Sequence, residues 1–215
     1  MKIIGQGRTA DVYALEEAGD RVLRRYRDGD DTAWEAGVMA RLTDRGYPVP
    51  AVLHAEGPDL VMERLTGPSL LDALLAGTYE PEPTGELIAE LLTRLHALPG
   101  EGPDTRLLHL DLHPGNVVLT PGGPVVIDWQ TAWEGPPGLD CAMSALILAE
   151  VAVSPAPYAP GARAGLAALL AAVRTPLLPH LTAARARRAA DPSLTSEEVA
   201  ALGSAESLVR SLATG

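Results

Sequence analysis

The chain has 215 residues, enough for one large domain or two small lobes, and its 47% hydrophobic content supplies a core. A net charge of −11 argues against general nucleic-acid binding, and no run of eighteen apolar residues marks a membrane span. The one cysteine, Cys141, excludes an internal disulfide and agrees with a reducing cytoplasm, while the opening MKIIGQGRTADVY is too short and polar for a signal peptide.

Residues 1 to 65 read as strand-rich with one helix. KIIGQ and ADVYALE are short strands joined by a turn that carries Gly5 and Gly7. Glycine there lets backbone N–H groups approach phosphate oxygens without a Cβ in the way. DRVLRRY is the third strand, and its alternation puts Val22, Arg24 and Tyr26 on one face and leaves Arg25 on the other as a solvated charge. TAWEAGVMARLTDRG is a helix. Its Glu35 has two readings: it completes a capping box with Thr32, or, sharing a face with Val38, Met39 and Leu42, it takes a charged partner. Arg24 on the facing strand is the nearest basic candidate, so an Arg24–Glu35 ion pair is expected. Pro48 and Pro50 then break the helix, and two strands follow up to LVMERL.

From Gly67 the pattern turns helical. GPSLLDALLAG begins on Ser69, capped against Asp72, and residues 84 to 98 form an amphipathic helix on which His96 is read as a surface or structural histidine. GPPGLDCAMSALILAEVAV starts in turn residues and becomes a buried helix, with Asp140 capping it or bracing the loop ahead of it. SPAPYAPGA, residues 154 to 162, reads as a loop. Residues 161 to 213 read as two or three Ala-rich helices, with the basic run of Arg185, Arg187 and Arg188 on their surface.

The chemistry concentrates in residues 109 to 130, HLDLHPGNVVLTPGGPVVIDWQ. Two β-branched runs about a Pro-Gly-Gly turn make a β-hairpin, so Asn116 at its start is expected near Asp128 at its end. His109 and Asp111 sit in the loop just ahead. Oxygen ligands from an Asp and an Asn suit Mg²⁺, which needs few protein ligands when phosphate supplies the rest.

His109-x-Asp111-x-x-x-x-Asn116, followed by Asp128 after a hairpin, resembles the catalytic loop and metal-binding Asp of kinase-fold enzymes. The wording HLDLHPGNVVL and VVIDWQ looks like the aminoglycoside phosphotransferase and choline kinase branch, with His113 where protein kinases usually show Lys and Trp129-Gln130 in place of Phe-Gly. The resemblance implies an α+β, two-lobe protein-kinase-like fold, with residues 1–65 as a β-rich nucleotide lobe and 66–215 as a helical lobe. It implies ATP between the lobes and Mg²⁺ on Asn116 and Asp128, with Asp111 orienting an acceptor hydroxyl and taking its proton. Gly5, Gly7 and Val12 then belong to a glycine-rich loop with Ala10 in place of a third Gly. Val22 lines the adenine pocket, and Arg24 stands where the family has a phosphate-binding Lys that the helix Glu35 supports. Met62 is the gatekeeper, and the backbone from Glu63 to Leu65 is the hinge. His109 buttresses the loop, and His113 takes a structural role. The implied protein is a cytoplasmic ATP-dependent phosphotransferase acting on a small-molecule hydroxyl, with no nucleic-acid or membrane partner. A nucleotide-binding, pseudokinase-like protein and a compact protein kinase are the alternatives.

Overall fold

In a computed structural model, the described residues are 1–7, 9–15, 19–100, 102 and 104–214, residue 6 as backbone only. The elements in chain order are β1 (Lys2–Gln6), β2 (Ala10–Ala14), β3 (Arg21–Tyr26), α1 (Ala33–Asp44), β4 (Val52–Glu56), β5 (Asp59–Glu63), α2 (Leu70–Leu75), α3 (Pro81–His96), β6 (Arg106–Leu108), β7 (Val117–Thr120), β8 (Gly123–Val126), β9 (Trp133–Gly135), α4 (Pro137–Ala152), α5 (Ala159–Ala172), α6 (Leu181–Ala189) and α7 (Ser196–Thr214). They gather into two compact units, Met1–Pro68 with Val118–Ala132, and Ser69–Val117 with Trp133–Gly215.

The first unit is an antiparallel sheet in the order β1-β2-β3-β5-β4, with α1 supplying its buried Glu35, Val38, Met39 and Leu42. Short runs rich in Val, Ile and Tyr between turn residues form these strands, as β-branched and aromatic side chains favour a pleated surface. The register sets Gly5 opposite Val12 and Val12 opposite Arg24, and sets Val22 opposite Met62. Directly paired residues share a face, so these side chains lie on one side of the sheet. Arg25, on the other side, is exposed and pairs with Asp59, its neighbour across β5.

Residues 118–132 belong to this unit although they lie far along the chain. The reason is local hydrogen bonding. Leu119 N–H donates to Pro68 C=O and Val126 N–H to Pro48 C=O, both at 2.9 Å. Gly67, at φ +140, passes so close to the Leu119 carbonyl that a Cβ would collide with it, which makes glycine the residue that lets the hairpin dock.

The second unit is helical. α4 is apolar on nearly every face and almost wholly buried, as a helix hydrophobic all round must be. α3, α5, α6 and α7 surround it. α3 starts at Pro81, earlier than residue 84, because proline is tolerated in the first turn where its missing N–H has no helical partner. The same rule corrects the loop expected over 154–162: α5 begins at Ala159 with Pro160 in its first turn. Two three-residue strands that the sequence does not announce, β6 and β9, pair antiparallel ahead of α4. Among the described residues, no helix is long and apolar enough to cross a membrane.

Candidate active site

The residues singled out by the sequence fall into two clusters, one in each unit. In the first unit Arg24 is buried and carries two carboxylates. One amino group pairs with Glu35, and the other with Asp128 at 2.6 Å. Glu35 also accepts from the Tyr26 hydroxyl and, at 3.0 Å, from the Trp129 N–H. The capping box does not form: Thr32 makes no side-chain cap, and its hydroxyl donates instead to the carbonyls of Gly57 and Asp59. Glu35 thus takes the ion-pair reading, because a carboxylate on the buried face of α1 needs charge-assisted partners and finds three.

Burial would weaken the charge on Arg24, but Asp128 and Glu35 outweigh it and raise its pKa above that of an ordinary arginine. Burial and then the Glu35 charge push the Tyr26 phenol well above its usual range, so it stays a donor. Removing Arg24 would leave Glu35 a buried carboxylate without its cation. Arg24→Ala is therefore expected to lose about 3–5 kcal/mol of folding stability. Arg24→Lys should recover part of it, since one ammonium cannot bridge two carboxylates as the planar fork does. Urea titration of the three proteins reads this, and an Arg24→Ala midpoint equal to the parent's would contradict it.

Asp128 is the more open partner, its side chain 38% exposed. Its φ is +67, and among the described residues only it and Leu110, at +65, are non-glycine residues in the left-handed region. Such strain costs on the order of 1–3 kcal/mol and gathers at functional sites. Here it marks both predicted carboxylate positions, since Leu110 immediately precedes Asp111. Trp129 locks the strained turn: it is fully buried, its indole N–H donates to Val126 C=O, and its ring meets Tyr47 edge-on at 5.7 Å.

The glycine-bearing turn is tighter than expected. Gly7 N–H donates to Ala10 C=O at 2.8 Å, and a Cβ at Gly7 would stand 3.3 Å from that oxygen. That hydrogen bond closes the turn on which Gly7 sits. Thr9 instead donates its hydroxyl to Gln130 at 2.8 Å, tying the turn to the segment after Asp128. Arg8 lies outside the described residues. In the segment expected to be the hinge, Glu63 N–H donates to Ala51 C=O and Arg64 N–H to Asp20 C=O; Met62 and Leu65 are half-buried.

In the second unit Asp140 holds the loop that carries Asp111. It is fully buried, accepts from the N–H groups of His109 and Leu110 at 2.9 and 2.7 Å, and meets His96 Nε2 at 2.9 Å. His96 thus takes the structural of its two readings, its side chain buried against Asp140. His109, also fully buried, accepts the Asp111 N–H through Nδ1 at 3.2 Å. The Asn116 amide group donates to the Asp111 carbonyl at 2.9 Å and approaches its Oδ2 at 3.3 Å. His113 Nε2 lies 3.7 Å from that same Oδ2, while its Nδ1 accepts from Gly115 N–H.

The sequence missed one member of this cluster. Arg188 of α6 was placed on the surface, but it is 9% exposed. Its Nε bonds Glu150 at 2.9 Å and its Nη1 bonds Asp191 at 3.0 Å, and that Nη1 lies 4.0 Å from Asp111 Oδ1. Arg185 and Arg187 are exposed, as expected. Six of the nine positions of α6 face solvent, and only Leu181, Ala184 and Arg188 are buried. That spacing put Arg188 on the apolar stripe, a signal masked by its basic neighbours.

Burial alone would raise the Asp111 pKa, but His113, His109 and Arg188 outweigh it and hold the carboxyl below its usual range. Asp140 is lowered in the same way, by His96 first and His109 next, against full burial. For Asp140 the sign follows directly. The unfolded carboxyl takes its proton near 3.9 and the folded one only at lower pH. The stabilisation is therefore complete above the unfolded value and is lost as pH falls through the folded one. Asp140→Asn should lower stability at pH 7, on the order of 1–3 kcal/mol for each backbone N–H left short of its acceptor. It should also flatten the acid limb of a stability-versus-pH curve measured by denaturant titration; an unchanged acid limb would count against the brace.

Asn116 of the second unit and Asp128 of the first each offer an oxygen of the kind a hard divalent cation takes. Asn116 turns its amide nitrogen to Asp111, which leaves its carbonyl oxygen as the ligating atom, and Asp128 offers an exposed carboxylate. Among the described residues no group of three or more His, Cys, Asp or Glu could hold a metal by itself.

The phosphotransferase enzyme family model, APH, matches residues 1–104 and 101–177. A comparison with curated proteins finds no match. Among solved structures, a thermostable mutant of aminoglycoside phosphotransferase APH(4)-Ia, in ternary complex with AMP-PNP and hygromycin B, is 17% identical at a TM-score of 0.70, over 100% of this chain and 94% of that one. An ethanolamine kinase from Plasmodium vivax is 13% identical at 0.66, over 98% and 83%. A choline/ethanolamine kinase family protein from Mesorhizobium loti is 14% identical at 0.60, over 100% and 92%. At such identities the likeness is one of fold, and it accords with the sheet of the first unit and the helices of the second. With more than half its length matched by one family model, the chain belongs to the phosphotransferase enzyme family.

Proposed function

We propose that the chain is an ATP-dependent phosphotransferase that moves the γ-phosphoryl group to a hydroxyl of a small molecule. The first unit acts as the nucleotide lobe and the second as the acceptor lobe. The observation that carries this reading is the Asp111 loop. A carboxylate held ionised and met by the Asn116 amide, with its backbone N–H bonded to His109, on a loop clamped by Asp140, suits a group that orients a hydroxyl. Asp111 receives the hydroxyl proton as the acceptor oxygen bonds to the γ-phosphorus and the bond to the β-phosphate oxygen breaks, releasing ADP. A carboxylate this weakly basic takes the proton late, which suits the loose transition state of phosphoryl transfer.

Asn116 and Asp128 would hold Mg²⁺, which when bound neutralises phosphate charge. Gly5, Val12, Val22 and Met62, aligned on one sheet face, would line the nucleotide with the backbone of Glu63 to Leu65. Arg24, supported by Glu35, would add cationic charge. The single, buried cysteine, its thiol pushed up to about 12 first by burial, accords with a cytoplasmic setting.

A library of hydroxyl-bearing metabolites, including amino alcohols, sugars and aminoglycosides, tests the reading with γ-labelled ATP. The expected result is label transfer to at least one small molecule, abolished by chelating Mg²⁺. The commitment of both Arg24 amino groups to carboxylates favours one second reading, a nucleotide-binding protein with little transfer. Mg-ATP binding without label transfer to any acceptor would select it, and label on protein substrates would select a compact protein kinase.

A further inference from the structure

The Asp111 carboxylate has two unlike sides. Oδ2 faces the Asn116 amide at 3.3 Å and the His113 ring at 3.7 Å, both on its own loop. Oδ1 faces Arg188, which comes from α6, far along the chain. Arg188 is not a loose surface charge that happens to pass nearby. Glu150 of α4 fixes its Nε, and Asp191, just past α6, fixes its Nη1. A planar fork held at two of its nitrogens has little freedom left, so its distance to Oδ1 is set by the packing of α6 on α4.

With Oδ2 engaged within the loop, Oδ1 is the oxygen left to meet an acceptor hydroxyl. We propose that Arg188 is a positioning residue for phosphoryl transfer, holding Asp111 Oδ1 in the orientation that receives the acceptor proton and coupling the C-terminal helices to the catalytic loop. This rests on the reading of Asp111 as the base. Among the described residues, Asn116 and His113 from the loop and Arg188 from α6 face the carboxylate, Arg188 itself balanced by Glu150 and Asp191, while His109 holds the Asp111 backbone N–H. Arg188 makes no bond to the reacting atoms; it acts through Asp111.

The test uses the full chain with Mg-ATP and water as the acceptor, read as ADP release, together with amide exchange over residues 109–116. The proteins are the parent, Arg188→Met, Arg188→Lys, Asp111→Asn and the Asp111→Asn, Arg188→Met double variant. Where Arg188→Met alone is too unstable, adding Glu150→Gln removes the orphaned carboxylate and takes its place. Arg188→Met should lower kcat by about tenfold to a hundredfold, the scale of a small misplacement of a reacting group, at unchanged KM for Mg-ATP. Amide exchange in the loop should quicken, and Arg188→Lys should recover part of both. In the Asp111→Asn background the Arg188 change should cost nothing further, because its route to the chemistry is already gone. Parental turnover in Arg188→Met beside a crippled Asp111→Asn overturns the inference and leaves the base reading intact. Losses that multiply in the double variant also overturn it, since a merely structural support would act independently of Asp111. Parental turnover in Asp111→Asn overturns the base reading instead. Where the parent hydrolyses ATP too slowly to read, the exchange comparison decides, and an unchanged exchange pattern in Arg188→Met refutes the positioning claim.

Discussion

Asp111→Asn is expected to lower phosphoryl transfer by at least about a hundredfold, the low end of what a general base contributes, with Mg-ATP affinity unchanged. The substitution is nearly isosteric, so the two backbone bonds from Asp140 to the loop and the Asn116 contact to the residue 111 carbonyl all stay in place. What changes is one atom's chemistry. An amide offers no site for the acceptor proton, and its NH₂ group would point a donor where the hydroxyl needs an acceptor. The loss should therefore fall on kcat and leave nucleotide binding alone. Calorimetry with Mg-ATP separates the two, because Asp111 is placed on the acceptor side of the reaction. Near-parental turnover would remove Asp111 from the role, and a parallel loss of nucleotide affinity would mean the loop had moved.

Local rules made much of the first unit legible. The strands β1 to β3 announce themselves by period-two alternation and glycine turns, and the hairpin of β7 and β8 by its Pro-Gly-Gly turn. The apolar face of α1 was enough to send Glu35 toward Arg24, and the structure agrees. The readings that failed needed information from elsewhere in the chain. Arg188 looks like an ordinary helix-surface residue until Glu150 is folded against it, and only Asp140 decides between the surface and structural readings of His96. A polar side chain is drawn inside only where a partner waits, and no window of neighbouring residues reveals a partner dozens of positions away. Likewise β6 and β9, three residues each, are too short to carry a period. The strained φ at Leu110 and Asp128 is equally invisible in sequence, since neither residue type demands it.

Asp128→Ala is expected to abolish Mg²⁺-dependent nucleotide binding while the first unit stays folded. The two halves of that statement have separate causes. On the binding side, Asp128 is the only full negative charge in the proposed pair of metal ligands, Asn116 being neutral. Mg²⁺ gives up its waters reluctantly and needs that charge to hold a phosphate-bridging position. On the folding side, Arg24 shares its guanidinium between Asp128 and Glu35, and Glu35 is the deeper partner, with Tyr26 and the Trp129 amide also bonded to it. Removing Asp128 leaves Arg24 neutralised by Glu35, so no buried charge is stranded. A left-handed φ is also uncomfortable for Ala, at a cost of order 1–3 kcal/mol in such sites, which adds to the lost Arg24–Asp128 pair. Asp128→Gly separates the two effects: glycine relieves the backbone and should restore stability without restoring Mg-ATP binding. Denaturant titration and calorimetry on the parent, Asp128→Ala and Asp128→Gly make the comparison. Unchanged Mg-ATP affinity in either variant would show that the metal is held by other oxygens.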